Sequence, residues 1–193
     1  KEDAIQKIKE AFLYQVQLTD EKVNLISDWY HLAIMALLDT KDFDSDHEWI
    51  AERLGLHRKV IDQAIERLTS IDAIKKVNGM YQTTGHFFVD PKDIPSRAVR
   101  EFHRQILTKA DEALEMQDTQ NREFATVLMN LDKSKLKTAK EKIRKFREEF
   151  VEEFTPDKES AVPNQEVYSI SLQLFQITKN RNDLKKGSKN ENI

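Results

Sequence analysis

A chain of 193 residues, with 39% apolar and 34% charged content, has room for one or two domains and a real core beneath densely charged outer faces. Its net charge of -3 excludes a general polyanion binder, so any nucleic-acid contact has to come from a local basic patch. The lack of cysteine excludes disulfide frameworks and thiolate zinc sites, and no apolar run approaches the ~20 residues a membrane helix needs.

No secretory signal is visible, which leads to the expectation of a cytoplasmic protein. The chain starts at Lys1 without a methionine, and this points to a fragment or a processed product with something upstream. Residues 1–20 are expected to be an N-terminal helix at the end of that upstream region. Ile5, Ile8, Phe12 and Val16 form its apolar stripe, in steps of three and four.

Residues 21–90 read as one domain. A helix starts near Ser27, a plausible N-cap, and runs to Leu38 with an apolar density that suggests burial. A polar turn spans Asp42 to Asp46. A short helix follows over His47 to Leu54 and is closed by Gly55, since glycine just past a helix end can take the left-handed conformation that stops it. A third helix is expected from His57 to Ile71, with Val60, Ile61, Ala64, Ile65 and Leu68 on its core side. Ile74 to Thr83 reads as a hairpin around Asn78-Gly79, the preferred pair for a turn in which both positions have positive φ. Helix, short helix, glycine turn, longer helix and hairpin is the order of a winged helix-turn-helix. Trp29 and Trp49 are expected in its core.

Residues 91–179 are expected to form a helix-strand-helix-strand domain, so the fold class is α+β, mostly α. A linker at 88–96, with Pro91 and Pro95, precedes a helix from Ser96 to Gln117 whose stripe is Val99, Phe102, Ile106, Ala110 and Ala113. Glu123 to Leu131 is predicted as a strand. Lys133 to Phe154 is predicted as a helix burying Leu136, Ala139, Ile143, Phe146, Phe150 and Phe154. In the second predicted strand Tyr168, Ile170, Leu172 and Leu174 alternate with polar residues. Two strands make a marginal sheet, so a third comes either from this chain or from a second subunit, and the second subunit is preferred. The polar tail from 180 to 193 is expected to be disordered.

Four stretches carry a family resemblance: Ser27-Asp28-Trp29-Tyr30-His31-Leu32-Ala33-Ile34, Trp49-Ile50-Ala51-Glu52-Arg53-Leu54-Gly55-Leu56, Phe102-His103-Arg104-Gln105-Ile106-Leu107, and Val167 to Lys179. With them the chain resembles a domain-of-unknown-function family that is abundant as paralogues in Bdellovibrio-like predators and in Fibrobacter. Members usually carry an upstream helix-turn-helix and are taken to be transcriptional regulators. The resemblance implies an upstream DNA-binding domain and supplies no catalytic residues. Gln176 stands where the family usually has proline.

No chemistry-bearing constellation emerges. None of His31, His47, His57, His86 and His103 pairs at i,i+4, so no metal is expected. Gly55, Gly79, Gly85 and Gly187 are not spaced to cradle a phosphate, and no cofactor is expected. The acidic residues read as solvated helix faces, and the chain is expected not to be an enzyme.

Two partner readings stay open. Lys59, Gln63 and Arg67 form one i,i+4 stripe on the third helix that could meet duplex DNA, and Lys75 and Lys76 on the hairpin could contact backbone phosphate. Arg58, Asp62 and Glu66 form the neighbouring stripe, whose carboxylates repel phosphate. The alternative is a protein–protein module, with a homodimer as the expected assembly and no direct DNA contact. The working hypothesis is a transcriptional regulator in which the winged helix adds DNA or subunit contacts and residues 91–179 dimerise or sense a signal.

Overall fold

The structure is a computed structural model in which residues 27–84, 97–155 and 162–179 are described. The helix expected near residues 4–16, the linker at 88–96, the tail from 180 and His86 lie outside the described residues. The described residues are α+β and mostly helical, with five α-helices and one two-stranded antiparallel sheet among them.

α1 (Trp29–Leu38) is apolar nearly all round, and Ile34, Leu37 and Leu38 are fully buried. Its N-cap is Asp28 rather than Ser27, and the Asp28 side chain does not cap its own helix. α2 (His47–Leu54) starts at Asp46, whose carboxylate accepts from the Glu48 backbone N–H. It ends at Gly55, which sits at φ 63°, ψ 38°. There the Leu56 N–H reaches back to the Ala51 carbonyl at 2.9 Å, and the Gly55 N–H to that of Glu52 at 3.3 Å. The paired bonds satisfy carbonyls that the helix end leaves open.

α3 (Arg58–Ser70) buries Ile61, Ala64, Ile65 and Leu68, a stripe with helical spacing. Ile71 and Ala73 continue the buried run into β1 (Ile74–Val77), which pairs antiparallel with β2 (Met80–Thr83). Val77 faces Met80 across a two-residue turn in which Asn78 has φ 51° and Gly79 φ 85°. These are the positive angles that the right-handed twist of a hairpin favours. α1, α2, α3 and β1 together contribute one apolar cluster, with Phe43, Trp49 and Tyr81 packed on its edge. Truncating a fully buried member such as Leu68 to alanine costs about 2–5 kcal/mol.

The chain divides into two compact units. The first covers residues 1–126 and 156–168 and includes α4 (Arg97–Met116), which packs against α1. The expected stripe of α4, from Val99 to Ala113, is half-buried. Trp29 belongs to this contact rather than to the apolar cluster. Its backbone N–H donates to Gln105 Oε1 at 3.1 Å, and the Lys109 amine lies 4.8 Å from its ring centre. Trp49 is on the cluster as expected, edge-on to Phe43 and under Arg53.

The second unit covers residues 127–155 and 169–193. A 3-10 turn at Lys133–Lys135 leads into α5 (Leu136–Phe154). The turn is capped by Asp132, and the backbone N–H of Ser134 holds the Asp132 carboxyl below its usual range. Two expectations fail here. Neither 123–131 nor 168–174 is a paired strand, so the predicted helix-strand-helix-strand order is not formed. Alternating apolar residues make a strand only when a neighbour takes up the backbone hydrogen bonds, and no described segment of the chain does so. The stripe of α5 is likewise not buried: Phe146 and Phe154 are exposed and Phe150 is half-buried.

Gly55 offers a direct test of the α2–α3 turn. A Cβ there would meet nothing within 4 Å, so a substitution costs only the left-handed backbone. Gly55→Ala is expected to destabilise the chain by about 1 kcal/mol, read from urea unfolding, with no loss of packing.

Candidate nucleic-acid interface

The outer face of α3 is bounded by the Gly55 turn at its start and by the hairpin beyond its end. Burial of Ile61, Ala64, Ile65 and Leu68 leaves Lys59 and Gln63 in solvent. Among the described residues neither makes an ion pair or a hydrogen bond. Arg67, the third member of the expected stripe, is engaged: its guanidinium lies 3.7 Å from Asp28 Oδ2. The stripe of three therefore reduces to Lys59 and Gln63, with Arg67 facing back toward the start of α1.

Lys75 and Lys76 do not share a face. Successive residues of a strand point to opposite sides, and the register sets Lys75 across from Gln82 and Lys76 across from Tyr81. The Lys76 amine sits 4.9 Å from the centre of the Tyr81 ring, on the side that packs toward the helices. Lys75 is exposed on the opposite side. The two lysines cannot grip one phosphate run together.

The neighbouring stripe is less repulsive than its charges alone suggest. Asp62 Oδ1 lies 2.6 Å from His47 Nδ1 and 4.0 Å from Arg58, and Arg58 also approaches Glu48 at 3.8 Å. The other ring nitrogen of His47 is 3.2 Å from the Tyr81 hydroxyl. Asp62 on α3, His47 on α2 and Tyr81 on β2 thus form one hydrogen-bonded chain. With a proton on Nδ1, neutral His47 donates to Asp62 and accepts from Tyr81, so every polar atom of the ring is satisfied. Ser45 Oγ accepts from the Tyr81 backbone N–H at 2.9 Å and pins the same strand to the loop before α2. The hairpin is fixed to the helices by these bonds. Nothing in the local sequence signals them, because the partners of His47 stand 15 and 34 residues away.

A second polar group joins α1, α3 and α4 at Asp28. One carboxylate oxygen accepts from the Tyr30 hydroxyl at 2.9 Å and faces Arg67; the other accepts from the Gln105 amide at 3.2 Å. The Asp28 carbonyl accepts the His31 N–H and lies 3.2 Å from His31 Nδ1. Burial, with the carboxylate bond second, pushes the Tyr30 hydroxyl above its usual 10.0. His31 is fully buried, and its Nε2 has no hydrogen-bond partner among the described residues. Desolvation therefore pushes His31 below its ordinary value, against a smaller upward pull from Asp28. His103 is exposed and contacts the Phe102 ring.

A third link is longer in range. Arg53 on α2 holds Glu166 with both terminal nitrogens, at 3.2 and 3.0 Å, and one of them also donates to the Gln165 carbonyl. Gln165 Oε1 accepts from the Lys41 N–H, and the Asn164 N–H donates to Asp42. Residues 164–166 are thereby strapped to the α1–α2 loop and to α2. Among the described residues no cluster of three or more His, Asp or Glu side chains could hold a metal ion. No described helix is long and apolar enough to cross a membrane.

A family described as a domain of unknown function (DUF4423) matches residues 9–177. The chain belongs to that family. No curated protein and no solved structure matches it.

Two outcomes follow from these networks. Tyr81→Phe keeps the ring under Lys76 but removes the hydroxyl that His47 binds, and is expected to destabilise by about 0.5–1.5 kcal/mol in urea unfolding. For His31 the folded form resists the proton that the unfolded form accepts. Its contribution is complete above the ordinary value of 6.5 and is lost progressively as pH falls below it. The unfolding midpoint should therefore decline between about pH 7 and pH 5, and His31→Phe should flatten that decline.

Proposed function

We propose that α2, the Gly55 turn, α3 and the hairpin are a winged helix-turn-helix, and that the protein is a transcriptional regulator whose α3 enters the major groove of duplex DNA. The observation that carries this reading is the free outer edge of α3, where Lys59 and Gln63 have no partner among the described residues while the hairpin is locked beside the helices through His47. Gln63 is suited to a base edge and Lys59 to phosphate. Lys75 or Lys76 adds a phosphate contact from the wing, one of them at a time. The resemblance to regulators with an upstream helix-turn-helix supports the same reading, with the second unit serving dimerisation or signal sensing.

A protein–protein role without DNA contact is favoured by a different observation. Arg67 is turned to Asp28, and Arg58 stands beside Glu48 and Asp62, so the cations of α3 are largely matched by carboxylates of the chain itself. A surface with two or three open cations gives weak, salt-sensitive binding rather than tight capture.

Fluorescence anisotropy with mixed-sequence duplex DNA across a salt series separates the two. DNA binding predicts a slope of about -2 to -3 in log K against log salt. Lys59→Glu should then weaken binding by about tenfold and bring the slope about one unit closer to zero. Binding that ignores salt, or that Lys59→Glu leaves unchanged, overturns the DNA reading. Arg67→Glu is not a clean test, because it sets a second carboxylate against Asp28.

A further inference from the structure

The described residues of the second unit form no interior of their own. None of its described residues, 127–155 and 169–179, is buried. Eleven of its large apolar side chains are between 39% and 79% exposed, among them Val127, Leu128, Phe146, Phe154, Phe175 and Ile177. At the areas such side chains present, this is on the order of 1,000 Å² of apolar surface in one small unit. The largest apolar patch on a monomer is usually ~300–600 Å², whereas one side of a standard interface buries ~800 Å². Summed over its three segments, the exposed area is comparable to one side of an interface.

The charges of α5 say what kind of half. Residues 136–147 hold six basic side chains and one acidic, and residues 148–154 hold four acidic and no basic. This order opposes the helix dipole at both ends: positive charge sits by the N-terminus and negative charge by the C-terminus. The first turn has no acidic residue and the last turn no basic one, so neither end is compensated from within the helix. The pattern does suit a two-fold arrangement. When two identical helices run antiparallel, the basic start of each lies beside the acidic end of the other. The apolar positions agree, since Leu136, Ala139, Ile143, Phe146 and Phe150 follow a three-four spacing like that of an interhelical seam. Antiparallel about their midpoint, small Ala139 of one copy meets large Phe150 of the other.

We infer that the second unit is covered by the second unit of another copy of this chain, with the two α5 helices antiparallel across the two-fold axis. Unlike the DNA reading, this rests only on the surface and charge order of the second unit, so either can fail alone. It goes beyond the expectation of some homodimer by naming the helix, its direction and its register.

The natural absence of cysteine makes the arrangement directly testable. Two variants of the full chain, Leu136→Cys and Glu153→Cys, are made, and the mass of each and of the parent is read by light scattering. In the antiparallel pair position 136 of one copy adjoins position 153 of the other. Like positions lie about 25 Å apart, given the rise of ~1.5 Å per residue. Mild oxidation should therefore cross-link a mixture of the two variants between unlike chains, and should not cross-link either variant alone. Glu148→Lys with Glu152→Lys should lower the dimer affinity at least tenfold and remove or reverse the loss of affinity that added salt causes in the parent. A parent chain that stays monomeric at 100 µM overturns the inference; so does a dimer in which Leu136→Cys alone cross-links, as parallel helices would, or in which the mixture fails to. Because the cross-link is read on dimers that keep Glu148, Glu149 and Glu152, misfolding of the lysine variant cannot mask the result.

Discussion

Three helices of the first unit meet at one carboxylate. Asp28 stands before α1, faces Arg67 near the end of α3, and accepts from Gln105 on α4. An N-cap side chain ordinarily turns back to its own helix. Here it gives up that role and leaves the helix start to its backbone carbonyl, which takes the His31 N–H. The apolar cluster drives burial but does not orient α4, because apolar contact is non-directional. Orientation comes from the half-buried polar contacts: Gln105 bridges the Trp29 N–H and Asp28, and Lys109 closes over Trp29. The buried, half-satisfied His31 is tolerated at the same joint because its neutral ring leaves only an acceptor without a partner, which costs less than an unpaired charge.

Local structure was legible wherever the signal was local. The Gly55 stop, the Asn78-Gly79 turn and the buried stripe of α3 depend on conformational freedom and periodicity, and a short window contains both. Ser27 and Asp28 are equally good capping residues, so the local sequence does not choose between them. The choice fell to Asp28 through partners on α3 and α4, far from it in sequence. The same blindness hid the bonds of His47 and the strap from Arg53 to Glu166. It also made Arg67 look available, since i,i+4 spacing places a side chain on a face without saying what else that face meets.

The failed strands teach something different. Alternation at Tyr168, Ile170, Leu172 and Leu174 is a property of a segment, whereas a strand is a property of two segments. What the segment lacks is a neighbour within the described residues. The stripe of α5 has the same status, since its periodicity specifies a face to be covered and not the molecule that covers it. The first unit has a full core, whereas the alternating and striped segments of the second unit are exposed or half-buried.

The two proposals constrain one another physically. A reading face with Lys59, Gln63 and one hairpin lysine is weak by its charge count, and neutralising two or three phosphates gives little affinity at physiological salt. Weak faces become effective when they are joined, because the second contact is made at the effective concentration set by the link rather than at that in solution. A two-fold pair built on α5 would supply such a link through its symmetry, and a two-fold axis is also what paired half-sites on DNA require. Strong individual contacts would be a disadvantage in such a design: a single chain able to hold DNA by itself would not need its partner, and occupancy would no longer report assembly. On both proposals the carboxylates beside Arg58 and Arg67 would act in this direction, keeping the face of one chain below the strength at which it could act alone.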